Sequence, residues 1–419
     1  MSCAEAHDPR FTATKVGLSQ LLLIAAALLF TGSCEPGKSA GDFSVTDSVF
    51  NVGQSPLLVI GEGADSMDLF QVVGVEWARD AGVVLATAES RELLLFDSAG
   101  HLIRKAGGLG GGPGEFMGLS HLLQFRSDSL LAFDHGTWQF LVFSSALEYV
   151  RNFRIEQVGR PGFITPIGTL SDGTIIVYKA DAAAAPRETG ELRDYPVLAL
   201  FSRHGPDGSL LDTLGTYQVD EVSLLSIGGK RVVSMKPFGG RTAAATSSSH
   251  LYLAPAIGSS VLEFTPQAKL PRTFQIPHVA RRVTPNDRDA YGRKLQEEFP
   301  QDGIDAMFLQ NLSFPDSFPA HGEIVPDICG GFWVQEYPAP TDLSERWLAF
   351  DSQGEWITSV TLPSRFALRR VGPDRLLGIQ RDEDGVESIR VYSLTSAGRS
   401  KERCPSGPDW SGGKPRVRP

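Results

Sequence analysis

His121, His135 and His321, with Asp134 beside the second, are the side chains of this 419-residue chain best suited to converge on a ligand or a metal. Three imidazoles meeting at one height, with a fourth position open, make a catalytic zinc site. His250 and His278 occupy no matching positions, so a third inward ligand is missing from the pattern. Calcium would ask for Asp, Glu and Asn oxygens where inner strands begin. Only Asn51, Asn152, Asn286 and Asn311 are present, and Glu115 and Asp327 read as turn-capping residues. Gly-x-Ser-x-Gly does not occur, and the four cysteines lack zinc-type spacing. The expectation is therefore no catalytic set and no resident cofactor, with zinc or calcium the ions a convergent site would take.

A second candidate is AGGLGGGPGEF, residues 106–116. A phosphate-binding P-loop needs a Gly-Lys-Ser/Thr ending and a helix behind it. Neither is here, and no register satisfies Gly-x-Gly-x-x-Gly. Pro113 and the apolar run from Leu119 also remove the helix N-terminus that would hold an anion. The glycines read instead as a joint where the chain crosses between elements with φ > 0. Phe116 is placed to plug between neighbouring sheets.

The elements around these residues repeat. One apolar run entered by a turn appears as DAGVVLA (80–86), SDSLLAF (127–133), SDGTIIVY (171–178), SSHLYLA (248–254), CGGFWVQ (329–335) and PDRLLGI (373–379). A second, ending in Phe or Tyr, alternates with it: ELLLFDSAG, QFLVFSSAL, VLALFSRHG, SVLEFTPQA, RWLAFDSQG and SIRVYSLTS. The separation is 12 residues for Val84–Phe96, Leu131–Phe143 and Tyr252–Phe264, and polar insertions such as YPAPTDLSER account for the longer gaps. Strand-like stretches before and after each pair complete four strands per unit. The prediction is an all-β fold: a six-bladed β-propeller of four-stranded antiparallel blades. The last unit lacks its fourth strand, and PLLVIGE (56–62) stands unpaired before the first. The expectation is that Leu57–Ile60 lies beside Ile389–Tyr392, so that an N-terminal strand in the last blade closes the ring.

IRKAGGLGGGPGEF, GGFWVQEY with WLAFDSQGEWITSVTLP, and GVESIRVYSL resemble the bacterial six-bladed propeller family related to NHL repeats, over roughly residues 45–396. The resemblance implies the fold and little of the function. Its relation to propeller amidating lyases is what makes imidazoles in a central channel worth weighing.

Net charge is −10, which argues against a nucleic-acid partner. LSQLLLIAAALLFTGSC (18–34) is too short for a bilayer span and resembles a lipoprotein signal ending in a lipobox, with Cys34 as the acylated residue. The predicted organisation is a signal peptide at 1–33, a tether at 34–50, the propeller at 51–396 and a disordered basic tail at 397–419. VTPNDRDAYGRKLQEEFP, in an insertion at 278–320, predicts a helix with Thr284 as N-cap, Pro285 first, Asp287 closing a capping box, and Tyr291, Leu295 and Phe299 in one stripe. Cys329 and Cys404 are the two cysteines of the mature body; a disulfide between them and two free thiols both stay open. The functional expectation is a lipid-anchored cell-envelope scaffold, in the periplasm or on the outer membrane, that binds a protein, peptide or glycan. The alternative is a channel-metal enzyme of the lyase or lactonase type.

Overall fold

The computed structural model describes residues 50–62, 69–126, 129–157, 159, 162–180, 193–227, 229–266, 270–298, 306–382 and 384–396. The expected signal peptide, Cys34, Phe299, Cys404 and the basic tail lie outside the described residues.

Strand β1 (Phe50–Ile60) precedes six antiparallel sheets. Sheet one holds β2 (Val72–Trp77), β3 (Val83–Thr87), β4 (Glu92–Phe96) and β5 (Leu102–Gly107). Sheet two holds β6 (Leu119–Phe125), β7 (Ser129–Asp134), β8 (Gln139–Ser144) and β9 (Tyr149–Phe153). Sheet three holds β10 (Phe163–Thr169), β11 (Ile175–Ala180), β12 (Asp194–His204), β13 (Leu210–Ile227) and β14 (Lys230–Met235). Sheet four holds β15 (Ala243–Thr246), β16 (Leu251–Ala254), β17 (Ser260–Phe264) and β18 (Arg272–Gln275), followed by α1 (Pro285–Glu298) and α2 (Ala306–Asn311). Sheet five holds β19 (Ile324–Pro326), β20 (Phe332–Gln335), β21 (Glu345–Phe350) and β22 (Trp356–Leu362). Sheet six holds β23 (Phe366–Val371), β24 (Arg375–Arg381) and β25 (Glu387–Ser396), with β1 added outside β25. In that last pairing Leu58 faces Val391, Val59 faces Arg390 and Ile60 faces Ile389.

The recurrent spacing has a simple origin. Val83 pairs with Phe96, Leu130 with Phe143 and Leu251 with Phe264, so hairpins of fixed register return each aromatic opposite the start of the preceding strand. Burial grades across each sheet. Every residue of β3 and of β16 is buried, whereas β5 is almost wholly exposed. A strand covered on both faces reads as an unbroken apolar run, and one at the rim as a mixed one. Successive sheets stack, and the first strand of each touches the first strand of the next; β23 also touches β2. This is β-propeller architecture.

Sheet three departs from the four-strand pattern. β13 continues past the expected rim strand and turns at Ile227–Lys230 into a fifth, β14. The expectation of four strands in every unit is corrected here. Gly229, at φ 79°, takes the left-handed backbone that lets the chain turn back so tightly.

The glycine-rich stretch is the joint from β5 to β6. Gly107, Gly108 and Gly114 take φ of 99°, 112° and 82°, values that cost L-residues with a Cβ. Glu115 folds back to accept the Gly112 N–H at 2.8 Å, and a side chain at Gly110 or Gly112 would collide with that carboxylate. Phe116, fully buried, packs with Val84, Ala86 and Leu93 of sheet one and Leu119, Leu122, Leu130 and Phe143 of sheet two. Burying it stabilises that junction by about 2–3 kcal/mol.

Polar links cross the remaining junctions. Ser171 N–H donates to Ser248 O at 2.8 Å between sheets three and four, and Ile328 N–H to Val371 O at 3.1 Å between five and six. Between six and one, Arg370 Nε donates to Glu76 at 2.6 Å, and the Val72 N–H donates to Glu387, also at 2.6 Å. Arg370 makes a second guanidinium contact to the same Glu76 carboxylate. Among the described residues, no helix is long and apolar enough to cross a membrane.

Candidate functional site

All four side chains singled out in the sequence sit at the end of the sheets where second strands finish and the insertion emerges. β7 ends at Asp134, and His121 on β6 lies opposite Phe133. The structure gives two of them structural tasks. Asp134, 1% exposed, accepts the N–H groups of Met117, Gly118 and Gly136 at 2.8–2.9 Å, tying the far end of the glycine joint to sheet two. A carboxylate so occupied has little capacity left for a ligand.

His321 is also buried. Its Nε2 lies 2.9 Å from the Pro255 carbonyl oxygen and its Nδ1 lies 3.1 Å from that of Gly322, so it latches sheet four to sheet five. His121 sets its Nδ1 3.0 Å from Ser120 Oγ and its ring edge-on to Phe133. Burial lowers its pKa to about 4, with the nearby His135 adding to the fall, so the ring is neutral at pH 7. His121 thus sits with the exposed His135, while His321 is the electrostatic neighbour of His278. The histidines form separate pairs. Among the described residues, no group of three or more His, Cys, Asp or Glu side chains could hold a metal ion.

What the same end does carry is a cleft of about 230 Å³, walled by Arg281 from the insertion and by the 336–346 hairpin of sheet five. The segments that bear it are fastened locally. The Asp287 carboxylate accepts the Thr284 N–H at 2.9 Å and hydroxyl at 2.6 Å, and the Asp287 N–H donates to Thr284 Oγ1 at 3.3 Å, starting α1 as a capping box. Asp287 also accepts Thr341 Oγ1 at 2.7 Å, which fastens the helix to the sheet-five hairpin. Beneath lies an aromatic cluster of Phe238, Phe318, Tyr291, Phe314 and Tyr337. Lys236, bound to Asp194 at 2.8 Å and to Glu221 at 3.0 Å, joins the extended β12–β13 hairpin to this region, because Asp194 also accepts Ser313 Oγ at 3.2 Å.

Arg281 closes on Asp342 at 2.9 Å, donates to Tyr337 O at 2.7 Å and lies over the Phe318 ring. Arg346 pairs with Glu336 at 3.1 Å. Leu343 in the cleft lining is 91% exposed, and other loops of the same end expose Val279 at 90% and Ile257 at 80%. Sequence inspection missed this site. Its one legible trace was YPAPTDLSER, the polar interruption between Trp333 and Phe350, which supplies most of the cleft wall.

Cys329, at the opposite end between β19 and β20, is disulfide-bonded, and its partner lies outside the described residues. No family model matches the chain, and no curated protein matches it. Among solved structures it is similar to a putative exported protein from Bacteroides fragilis, at 10% identity and a TM-score of 0.48, covering 85% of this chain and 97% of that one. It is also similar to a DUF4221 member from Bacteroides vulgatus, at 9% identity and TM-score 0.46, covering 83% and 99%. BamB from Moraxella catarrhalis stands at 13% identity and TM-score 0.33, covering 83% and 95%. Each score is below 0.5, so the architecture rests on the strand pairings above.

Proposed function

We propose that this chain is a lipid-anchored cell-envelope protein whose six sheets form the blades of a closed propeller and whose insertion-bearing end docks a partner protein. The anchor would be an acyl group on Cys34. β1 paired outside β25, and β23 against β2, support the closed six-bladed reading. The observation that carries the docking reading is Leu343, almost fully exposed in the cleft lining, with Val279 and Ile257 exposed on other loops of the same, most elaborated end. Solitary exposed apolar residues are ordinary, but several at one end that also carries a concave site mark an interaction face. Aliphatic side chains favour a protein or peptide over a glycan, whose hydroxyls gain nothing from them.

A photo-crosslinking residue placed at Leu343 in cells should capture one discrete protein, and the same residue at Leu211, exposed on a rim strand, should not. Capture at both positions alike, or at neither, would remove the docking reading. The anchor is tested separately: Cys34→Ser should move the protein from the membrane to the soluble fraction, and unchanged membrane association would remove that part.

A further inference from the structure

Five charged side chains line the cleft: Arg281, Glu336, Asp342, Glu345 and Arg346. Two cations stand against three carboxylates, a balance of −1. Arg281 is engaged by Asp342 and Arg346 by Glu336. Glu345 is the remaining carboxylate, and among the described residues it has no cation within ion-pair distance. The Gln335 side-chain N–H donates to it at 2.8 Å, and Arg369, itself paired with Glu323 at 3.0 Å, acts on it only from beyond ion-pair distance. Gln335 is itself buried and fixed, because its Oε1 accepts the Glu323 N–H at 3.0 Å. The carboxylate is therefore held half-buried in the cleft lining by a fixed donor.

We propose that the cleft receives a basic side chain, lysine or arginine, from the docked partner, with the cation on Glu345 and the aliphatic stem along Tyr337, Pro338 and Leu343. This rests on the docking reading above and adds the chemistry of the contact. The dimensions suit it: about 230 Å³ is smaller than the roughly 300–1,000 Å³ of pockets for drug-sized ligands, and matches a single side chain. The lining suits it too, since a long basic side chain needs apolar walls for its methylenes and a counter-charge at its tip. Burial pushes the Glu345 carboxyl above the usual carboxylate range, with the Gln335 hydrogen bond opposing it. A partially desolvated carboxylate gains more from an arriving cation than one in open water.

The probe is a blocked tripeptide, acetyl-Ala-Lys-Ala-amide, against its uncharged analogue with norleucine in place of lysine. Both are titrated into the Cys34→Ser protein while the Leu343 methyl resonances are followed. The lysine peptide should bind roughly tenfold more tightly than the norleucine peptide, and Glu345→Gln should erase that preference while leaving the weaker apolar binding. Equal affinities, no detectable binding of the lysine peptide, or a lysine preference surviving in Glu345→Gln would each overturn the proposal. The two readings fail separately. Crosslinking at Leu343 that persists while the lysine preference is absent would leave the docking face intact and remove only the basic group.

Discussion

Arg370→Met isolates the junction between the last sheet and the first. Arg370 on β23 holds the carboxylate of Glu76 on β2 through two guanidinium contacts, and the Glu76 side chain is only 4% exposed. Methionine keeps the stem and removes the charge, which leaves a buried carboxylate whose other hydrogen bond is the Gln124 N–H at 3.2 Å. Breaking a buried pair from one side typically costs about 3–5 kcal/mol. Protonation sets a ceiling, because the orphaned Glu76 can take up a proton instead of staying charged. From an ordinary glutamate pKa near 4.3, doing so at pH 7 costs about 2.7 pH units at ~1.36 kcal/mol each, or ~3.7 kcal/mol. At pH 5 the same ceiling is about 1 kcal/mol.

In the variant the folded state binds the proton more tightly than the unfolded state does. The added instability is therefore greatest above the raised folded pKa and fades as pH falls towards the unfolded value. With an unfolding entropy of about 2.1 cal/mol/K per residue over roughly 350 residues, 1 kcal/mol moves Tm by ~1.4 °C. The expected loss is about 4–5 °C at pH 7 and about 1.5 °C at pH 5, read by calorimetry against the parent at each pH. Glu76→Gln combined with Arg370→Met should recover most of the loss at pH 7. A deficit of the same size at both pH values, or one below 1 °C at pH 7, would refute the reasoning.

Three further outcomes test other parts of the fold. Asp134→Ala strips the acceptor from three N–H groups and should cost about 2–3 kcal/mol, with amide exchange at Met117, Gly118 and Gly136 accelerating before that of the sheet cores. Phe116→Ala should cost about 3–5 kcal/mol by opening a cavity between sheets one and two, measured by chemical denaturation. Non-reducing peptide mapping of the mature protein should find Cys329 joined to Cys404, and Cys329→Ser should leave Cys404 open to alkylation; a different partner for Cys329 would break the assignment.

Which parts were legible follows from how far apart the determining residues lie. The middle strands announced themselves because a strand covered on both faces must be apolar throughout, and its turns are written in adjacent residues; β3, β7 and β16 coincide with such runs. The helix was legible for the same reason, since Thr284 and Asp287 carry its start within one turn. β14 was not recognised, although Gly228-Gly229 between two strand-like runs was its local signature.

The candidate site was a different matter. Asp134, His121 and His321 have the right chemistry for a ligand, and what disqualifies Asp134 and His321 is the identity of their partners. Three backbone N–H groups occupy Asp134, and the Pro255 and Gly322 carbonyls lie against the nitrogens of His321. Glu345 carries no sequence signal at all. It becomes distinctive only because Arg281 comes from the insertion to engage Asp342, and Arg346 folds onto Glu336, leaving one carboxylate over. Taken alone, then, the order of amino acids determines the strands, their turns and the glycine joint, because those depend on near neighbours and on apolar periodicity. Which charges are consumed and which one is left facing a cleft was decided by tertiary packing, because electrostatic pairing depends on distance through space.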